Sequence, residues 1–362
     1  MQTQALVNEA VGAPFVLTDV ELDEPQPNEV LVQIVASGLC HTDFMIQNGG
    51  IPSAFPSIQG HEGAGKVVAV GSEVGDELQV GDSVLLSFAS CSSCDLCRSH
   101  RPAGCAEWVA HNFGRRRNKA VEDKPVATVL STGLRVKGSF FGQSSFARHA
   151  VVQASSCVKV PTETDLVLVS PLGCGLQTGA GAVINVLRPR PDDSLVVFGL
   201  GAVGFAALFA AAYLNVKTTI VVDLIPSRLA LAKELGAHHA LDGTSTELVQ
   251  EIKRLTGGGA NYAIDEGSPQ RVGVLGVCCL GNPGPGVASP FEIHDMVNTG
   301  KAWRGSVEGD SNPPEFIPFL MDLYKQGKFP VDRLCQVFPV ERWDEAVLAM
   351  KSGAVIKPII TF

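Results

Sequence analysis

Charged and aromatic side chains are scarce in this sequence. Asp, Glu, Lys and Arg make up 18% and Phe, Trp and Tyr 6% of its 362 residues, while 45% are apolar. So low a charge beside so much apolar material excludes a disordered chain and allows a large buried core. Basic residues are the scarcer sign, 28 against 37 acidic ones. The formal net charge of −9 argues against nucleic acid or an anionic membrane as the main partner. Arg115-Arg116-Arg117, with Lys119 close by, is the one basic cluster, and it reads as a solvated loop. No apolar run approaches the roughly 20 residues that span a bilayer. The opening MQTQALVNEAVG lacks the basic and apolar regions of a signal peptide. The expectation is a soluble, cytoplasmic protein without membrane or nucleic-acid partners.

No internal repeat or low-complexity linker divides the chain, yet it exceeds the roughly 250–300 residues that one core supports. Glycine (38) and proline (22) favour short strands and turns over a helical bundle. Up to about residue 160, QALVN, FVLTDVEL, EVLVQIVASG, GAGKVVAVG, DSVLLSF and FARHAVV read as strands, with helical period only near Thr42–Asn48. From Leu172 the rhythm changes. Ser194–Phe198, Thr218–Val222 and Tyr262–Asp265 read as strands, and Ala202–Leu214, Pro226–Leu235 and Glu247–Leu255 as helices. Such alternation means a parallel sheet with crossovers. Helices at Pro314–Gln326 and Trp343–Lys351 and a strand at Lys357–Phe362 complete the chain. The fold class is therefore α/β, a nucleotide-binding domain set between a large β-rich N-terminal part and a smaller C-terminal part.

Gly199-Leu200-Gly201-Ala202-Val203-Gly204 has the form G-x-G-x-x-G between a strand and a helix. The first glycine permits the tight turn, the second lets backbone approach a pyrophosphate, and the third lets helix and strand pack closely. The helix start offers unpaired N–H groups and partial positive charge to phosphates. Asp223 ends the next strand, nineteen residues after Gly204. A carboxylate there can accept from both ribose hydroxyls and repels a 2′-phosphate, so NAD is favoured over NADP. Arg228 is a candidate for the adenosine end.

Ten cysteines in a chain without an export signal read as metal ligands rather than disulfides. Cys91, Cys94, Cys97 and Cys105 crowd into fifteen residues. Four thiolates suit a closed, tetrahedral structural zinc. A second group is dispersed: Cys40 before His41, Thr42 and Asp43; His61 in Gly60-His61-Glu62-Gly63; and Cys174 between two glycines. Two thiolates and one imidazole leave a zinc position open for chemistry. From spacing alone each of these could be a buried bystander, and His41 has no unique assignment.

Taken together, Cys40-His41-Thr42-Asp43, Gly60-His61-Glu62-Gly63-Ala64-Gly65 with Gly71 beyond it, the four-cysteine lobe, Gly173-Cys174-Gly175 and the glycine-rich loop resemble the zinc-dependent medium-chain alcohol dehydrogenases over essentially the whole chain. Phe140-Phe141-Gly142-Gln143-Ser144-Ser145-Phe146, the stretch from Gly173 to Gly181, and Glu308-Gly309-Asp310-Ser311 look most like the aryl, or benzyl-type, branch. The resemblance implies a GroES-like β-rich catalytic domain over residues 1–174, completed by 304–362, and a Rossmann domain over 175–303, with the active site in the cleft between them. It implies two zincs per subunit, with Cys40, His61 and Cys174 on the catalytic ion, and a homodimer or homotetramer. Glu62 would stand beside that ion, Asp43 would hold the free ring nitrogen of His61, and Thr42 would take the hydroxyl proton of the substrate. His41 and Lys357 match pyrophosphate contacts, Thr178 a position near the nicotinamide, and Ser87, Phe140 and Phe141 the substrate pocket.

The implied reaction interconverts a primary alcohol, aromatic or allylic, and its aldehyde. Zinc serves as Lewis acid and NAD carries the hydride. Two other readings keep the fold: the same chemistry on a larger specialised metabolite, and a cofactor-binding homologue without turnover. Two features depart from the family pattern. Met45 stands where many members have a histidine that ends the proton relay. Also, Asn261–Glu266 and Val272–Leu280 read as strands with only Gly267–Arg271 between them, too few for a crossover. The expectation is that no helix of two or more turns lies between Asp265 and Val277, and that either the second strand pairs differently or the first is displaced from the sheet.

Overall fold

The computed structural model describes residues 1–115, 117, 125–265, 276–280, 285 and 293–362. They pack as two units, one of Met1–Cys174, Asn312–Met321 and Val331–Phe362, the other of Gly175–Ser311 and Asp322–Pro330. Among the described residues no single helix is long and apolar enough to cross a membrane.

The first unit holds two sheets. Five strands form one, in the order Ser57–Ile58, Gln2–Asn8, Phe15–Leu22, Ala127–Val129, Arg135–Val136. The other runs Cys157–Val160, Ser83–Leu86, Gly63–Val70, Glu29–Gly38, Lys357–Thr361, Cys335–Pro339, with His149–Gln153 also paired to Glu29–Gly38. Phe15 anchors the core, its ring edge-on to Phe44, Phe146 and Trp343. Two register shifts bend Glu29–Gly38 against Gly63–Val70. At that bend a Cβ on Gly65 would lie 2.1 Å from the Gln33 carbonyl oxygen, so only glycine fits. The last strand pairs Ile359 with Gly38, which brings Lys357 to the end of the same strand.

Arg115 and Arg117 correct the expectation of a solvated basic loop, being only 1% and 3% exposed. Arg117 forms a two-pronged pair with buried Glu29, Nε to Oε1 at 3.0 Å and one terminal nitrogen to Oε2 at 2.7 Å. Arg115 donates to the Ile58 carbonyl (2.9 Å) and Ser53 Oγ (3.0 Å) and lies over the Phe140 ring. A planar fork of donors can satisfy buried acceptors at two points, which a hydrated loop would not require. Arg116 and Lys119 lie outside the described residues.

The second unit carries a six-stranded parallel sheet: His239–Asp242, Thr218–Asp223, Ser194–Phe198, Tyr262–Asp265, Gly276–Cys279, Ala302–Gly305. Counted along the chain this is the order 3-2-1-4-5-6, whose reversal between the first and fourth strands defines a ligand-binding crevice at the strands' carboxyl ends. Helix Ala202–Tyr213 is buried on nearly every face, as its alanine-rich composition predicts for an interior helix. Gly276–Cys279 lies parallel beside Tyr262–Asp265, with Ala263 opposite Val277. Neither strand is displaced, contrary to expectation. The described part of the second strand is Gly276–Cys279, and the connection from Asp265 to it lies outside the described residues. The expected lack of a helix falls on residues 266–275, outside the described ones.

Helix Gly175–Gly181 is wholly buried and lies against Ala202–Tyr213. A Cβ on Gly179 would stand 1.9 Å from the Val203 carbonyl oxygen. Gly179→Ala should therefore force the helices apart at a cost of about 2–3 kcal/mol, the scale of overpacking a tight core. Chemical denaturation of the purified variant checks this, and an unchanged midpoint contradicts the close approach.

Candidate functional site

Three segments of the first unit meet at one corner. Cys40 caps helix His41–Gln47 just beyond strand Glu29–Gly38, His61 precedes strand Gly63–Val70, and Cys174 follows the turn Ser170–Gly173. Pairing of Ser37 with Gly63 sets the first two side by side. A Cβ on Gly173 would lie 2.1 Å from the Leu86 carbonyl oxygen, so glycine lets the third segment close in. One ligand atom from each of Cys40, His61 and Cys174 lies within 4.8 Å of the others.

The imidazole is completely buried, and its Nδ1 lies 3.1 Å from Asp43 Oδ1. Asp43 also accepts the backbone N–H groups of Gly60 (3.0 Å) and Cys40 (3.2 Å). Among the described residues His61 Nε2 has no hydrogen-bond partner, an expensive state for a buried nitrogen. A hydrogen bond from Cys174 holds the Cys40 thiol well below its ordinary pKa. The charges of His61 and Lys357 reinforce that shift against burial. Burial opposes charge on His61, but Asp43 and Cys40 outweigh it and raise the ring's pKa. A pair of thiols, one of them readily ionised, and an orphaned ring nitrogen around one buried point fit a zinc ion.

Glu62 is fully buried beside this trio. Burial pushes its carboxyl up to about 7, with the Lys357 ammonium opposing. Lys357 donates to Glu62 Oε1 (2.9 Å), Glu62 Oε2 (2.8 Å) and the Leu39 carbonyl (2.9 Å). The expectation that Lys357 reaches a pyrophosphate is not what this geometry gives. It is 3% exposed, and the three donors of an ammonium are already committed. Gly38 makes room for the pair, since a Cβ there would come within 2.0 Å of Glu62 Oε2.

Phe141 stacks on His61 with ring centroids 4.6 Å apart, and Phe140 meets it edge-on at 5.2 Å. Ser87 is completely buried and donates to the Gly173 carbonyl at 2.8 Å, so it steadies the Cys174 segment. Sequence reasoning assigned nothing to Gln143, which ties the site together. Its Nε2 reaches the carbonyls of His61 and Ser87, each at 2.9 Å, and its Oε1 accepts from Gly63 N–H at 3.0 Å. A glutamine set among phenylalanines and serines was the available signal. Thr42 is half-buried, its Oγ1 3.7 Å from Cys40 Sγ. Met45 joins the apolar cluster of Phe140 and Phe141. His41 is exposed at the start of its helix.

The four-cysteine lobe gathers its sulfurs within 4.8 Å of one another. Cys91 Sγ accepts the Cys94 N–H (3.3 Å), and Cys105 Sγ accepts the N–H groups of Cys91 (3.3 Å) and Glu107 (3.4 Å). Backbone hydrogen bonds with Ala106 and Cys97 pull the Cys94 thiol down to about 6, while burial and then the hydrogen bonds with Cys94 and Cys105 push Cys97 up to about 12. Such thiols ionise together only around a cation, which fits a second zinc.

In the second unit Gly199 has φ +88°, the left-handed turn that its motif demands. Gly201 begins helix Ala202–Tyr213 without a side-chain cap, leaving first-turn N–H groups to a ligand. Asp223 Oδ2 accepts the Leu200 N–H at 2.6 Å and Oδ1 the Ile225 N–H at 2.8 Å. A carboxylate has further lone pairs for ribose hydroxyls. Arg228 is half-buried one turn along the next helix, and buried Thr178 lies on helix Gly175–Gly181.

A β-rich unit with two thiol-bearing groups that fit a metal, and a parallel-sheet unit with a glycine-rich loop of nucleotide-binding form, are features of a zinc-dependent dehydrogenase. The Alcohol dehydrogenase GroES-like domain family matches residues 26–162 and the Zinc-binding dehydrogenase family residues 202–326. The whole chain is 40% identical to the geraniol dehydrogenase of Castellaniella defragrans, of which it covers 98%. Among solved structures it resembles the alcohol dehydrogenase zinc-binding domain protein of Burkholderia ambifaria (40% identity, TM-score 0.94) and the benzyl alcohol dehydrogenase of Acinetobacter calcoaceticus (39%, 0.91). All of this chain and 99% of each of those chains are covered. The chain belongs to the zinc-dependent medium-chain alcohol dehydrogenases, with the GroES-like and Rossmann-type fold expected from its sequence. It is an oxidoreductase of small-molecule alcohols.

Removing Lys357 would strand the Glu62 carboxylate in a site with no exposure. Lys357→Met should cost about 3–5 kcal/mol, and adding Glu62→Gln should recover most of it. Denaturation of the two variants tests the pairing. A single-variant loss below about 1 kcal/mol is incompatible with a buried ion pair.

Proposed function

We propose that the enzyme interconverts primary aromatic or allylic alcohols and their aldehydes with NAD, using two zincs per subunit. The observation that carries this reading is the buried convergence of Cys40, His61 and Cys174 against the rings of Phe140 and Phe141. Relatives named geraniol dehydrogenase and benzyl alcohol dehydrogenase support an allylic or aromatic substrate. When bound by Cys40, His61 and Cys174, zinc acts as a Lewis acid on the substrate oxygen. When bound, NAD exchanges a hydride with the substrate carbon.

The chain's own residues supply the rest. Asp43 keeps the His61 proton on Nδ1, so Nε2 is the ligating nitrogen. Thr42, close to Cys40, accepts the substrate hydroxyl proton. Met45 offers no site for that proton to travel further, so it leaves through water. Phe140 and Phe141 present flat apolar surface and keep water from the metal, with Ser87 behind them holding the Cys174 segment. Glu62, locked to Lys357, keeps a charged pair beside the ligands. Cys91, Cys94, Cys97 and Cys105 hold the structural zinc. Gly199, Gly201, Ala202, Val203 and Gly204 cradle the pyrophosphate, with His41 as a further contact. Asp223 takes the ribose, Arg228 the adenosine end and Thr178 the nicotinamide side. In this reading residues 1–174 and 304–362 form the catalytic domain and 175–303 the nucleotide domain of a cytoplasmic homodimer or homotetramer.

NADH formation with benzyl alcohol, cinnamyl alcohol and ethanol, together with a zinc count, tests the proposal. Two zincs per subunit and strong preference for the first two alcohols are expected. Cys174→Ser should stay folded, lose one zinc and lose turnover. Ethanol used as well as benzyl alcohol, or full activity in that variant, rejects the reading.

Cofactor choice makes a separate prediction. Asp223→Gly should lower efficiency with NAD roughly 10–100-fold while NADP gains, as one or two charge-assisted hydrogen bonds would require. A native enzyme that already uses NADP as well as NAD contradicts the role of Asp223.

A further inference from the structure

Glu308 is a buried carboxylate on the second unit that none of the chemistry above uses. It is 7% exposed and begins a run of three residues in the left-handed region, Glu308 (φ +50°), Gly309 (+67°) and Asp310 (+48°). Side-chain residues rarely adopt that conformation, and where they do the surroundings must hold them there. The holding contacts are specific. Glu308 Oε2 accepts from Gln177 Nε2 at 3.1 Å and from Thr178 Oγ1 at 3.4 Å. The Ser311 hydroxyl lies 2.7 Å from the Glu308 carbonyl and 3.1 Å from Gln177 Oε1, and Asn185 donates to the Gly309 carbonyl at 3.0 Å. Turn and helix touch backbone to backbone, since a Cβ on Gly181 would lie 2.3 Å from the Gly309 carbonyl oxygen.

The place of this turn gives the network its meaning. It follows the carboxyl end of strand Ala302–Gly305, the last of the parallel sheet, on the edge that also carries the Gly199–Gly204 loop and Asp223. A dinucleotide in a 3-2-1-4-5-6 sheet lies across that edge, one nucleotide on each side of the strand-order reversal. Asp223 ends the second strand, on the adenosine side. Glu308 follows the sixth, on the other side. The nicotinamide ring carries a positive charge when oxidised and none when reduced, so a fixed buried anion on that half discriminates between the two.

We propose that Glu308 is a positioning residue for the nicotinamide half of the cofactor, setting Gln177 and Thr178 and favouring the oxidised ring over the reduced one. The inference rests on the dinucleotide reading of the second unit. Calorimetric titration of NAD⁺, NADH and ADP-ribose into zinc-loaded wild type and Glu308→Gln tests it. ADP-ribose should bind both proteins alike. NAD⁺ should weaken about tenfold in the variant and NADH at most twofold, a difference the size of one partly screened charge interaction. Glu308→Asp should restore the wild-type ratio. Equal weakening of NAD⁺ and NADH, or loss of ADP-ribose binding along with them, overturns the proposal. If Glu308→Gln is not recovered folded, Glu308→Asn, neutral and more at ease in the left-handed region, gives the same ratio. Wild-type protein that binds neither ADP-ribose nor NADH rejects the dinucleotide reading itself, whatever the variants do.

Discussion

The active corner of the first unit depends on what one buried carboxylate accepts. Asp43 takes the N–H of Cys40, the N–H of Gly60 and the ring of His61, and so ties together two stretches of chain that sheet pairing brings side by side. With its oxygens committed as acceptors to two backbone N–H groups, it faces Nδ1 of His61 and dictates the tautomer of that ring. Without it the two ligands would still be neighbours, but the ring could turn and present the wrong nitrogen. Ligand identity thus follows from a residue that need not touch the metal.

Charge balance supports the proposal that a cation, rather than packing, completes the corner. Cys40, Cys174, Asp43 and Glu62 offer four acidic groups, and Lys357 is the fixed positive charge committed to one of them. Isolated buried charges are strongly destabilising, and protons shared among thiols and imidazole relieve the excess only in part. A divalent ion would relieve it directly and would give His61 Nε2 a partner that it lacks among the described residues. The aromatic rings then matter electrostatically as well as sterically. Phe141 stacked on His61 keeps the dielectric low where the charges are concentrated.

Most of this was legible in the sequence because each ligand stands in a short, distinctive context. Gly-His-Glu-Gly, Cys-His-Thr-Asp and four close cysteines name their chemistry through side chains that have few other uses together. What stayed hidden shares a different property: it is decided by partners far along the chain. Arg117 reads as one charge in a basic run, because the carboxylate that draws it inside, Glu29, lies 88 positions away. Lys357 reads as a phosphate contact, yet Glu62 holds it from a distance of 295 positions. Helix Gly175–Gly181 could not be recognised by propensity, since three of its residues are glycines, two of which, Gly179 and Gly181, sit where another backbone comes close. Strand Ala302–Gly305 has little buried surface and so no apolar signature. The segment after Asp265 misled for a related reason. An apolar stretch shows that a strand is present but not which neighbour it takes, and Gly276–Cys279 pairs in parallel with Tyr262–Asp265.

The two metal clusters also differ in what must exist before a metal can bind. The ligands of the lobe span only Cys91 to Cys105, and the cost of closing so short a loop is small. Metal can organise that segment without waiting for the rest of the unit, and the backbone N–H groups aimed at its sulfurs show a chain wrapped around a charge. Cys40, His61 and Cys174 come from places as far apart in the chain as the end of strand Glu29–Gly38 and the turn Ser170–Gly173. Nothing local brings them together. They converge only once Ser37 has paired with Gly63, Gly173 has closed on Leu86 and the C-terminal strand has delivered Lys357 to Glu62. On the two-zinc reading proposed above, metal binding would contribute to folding in the lobe. At the corner it would follow folding, as a site with a position to spare for substrate requires.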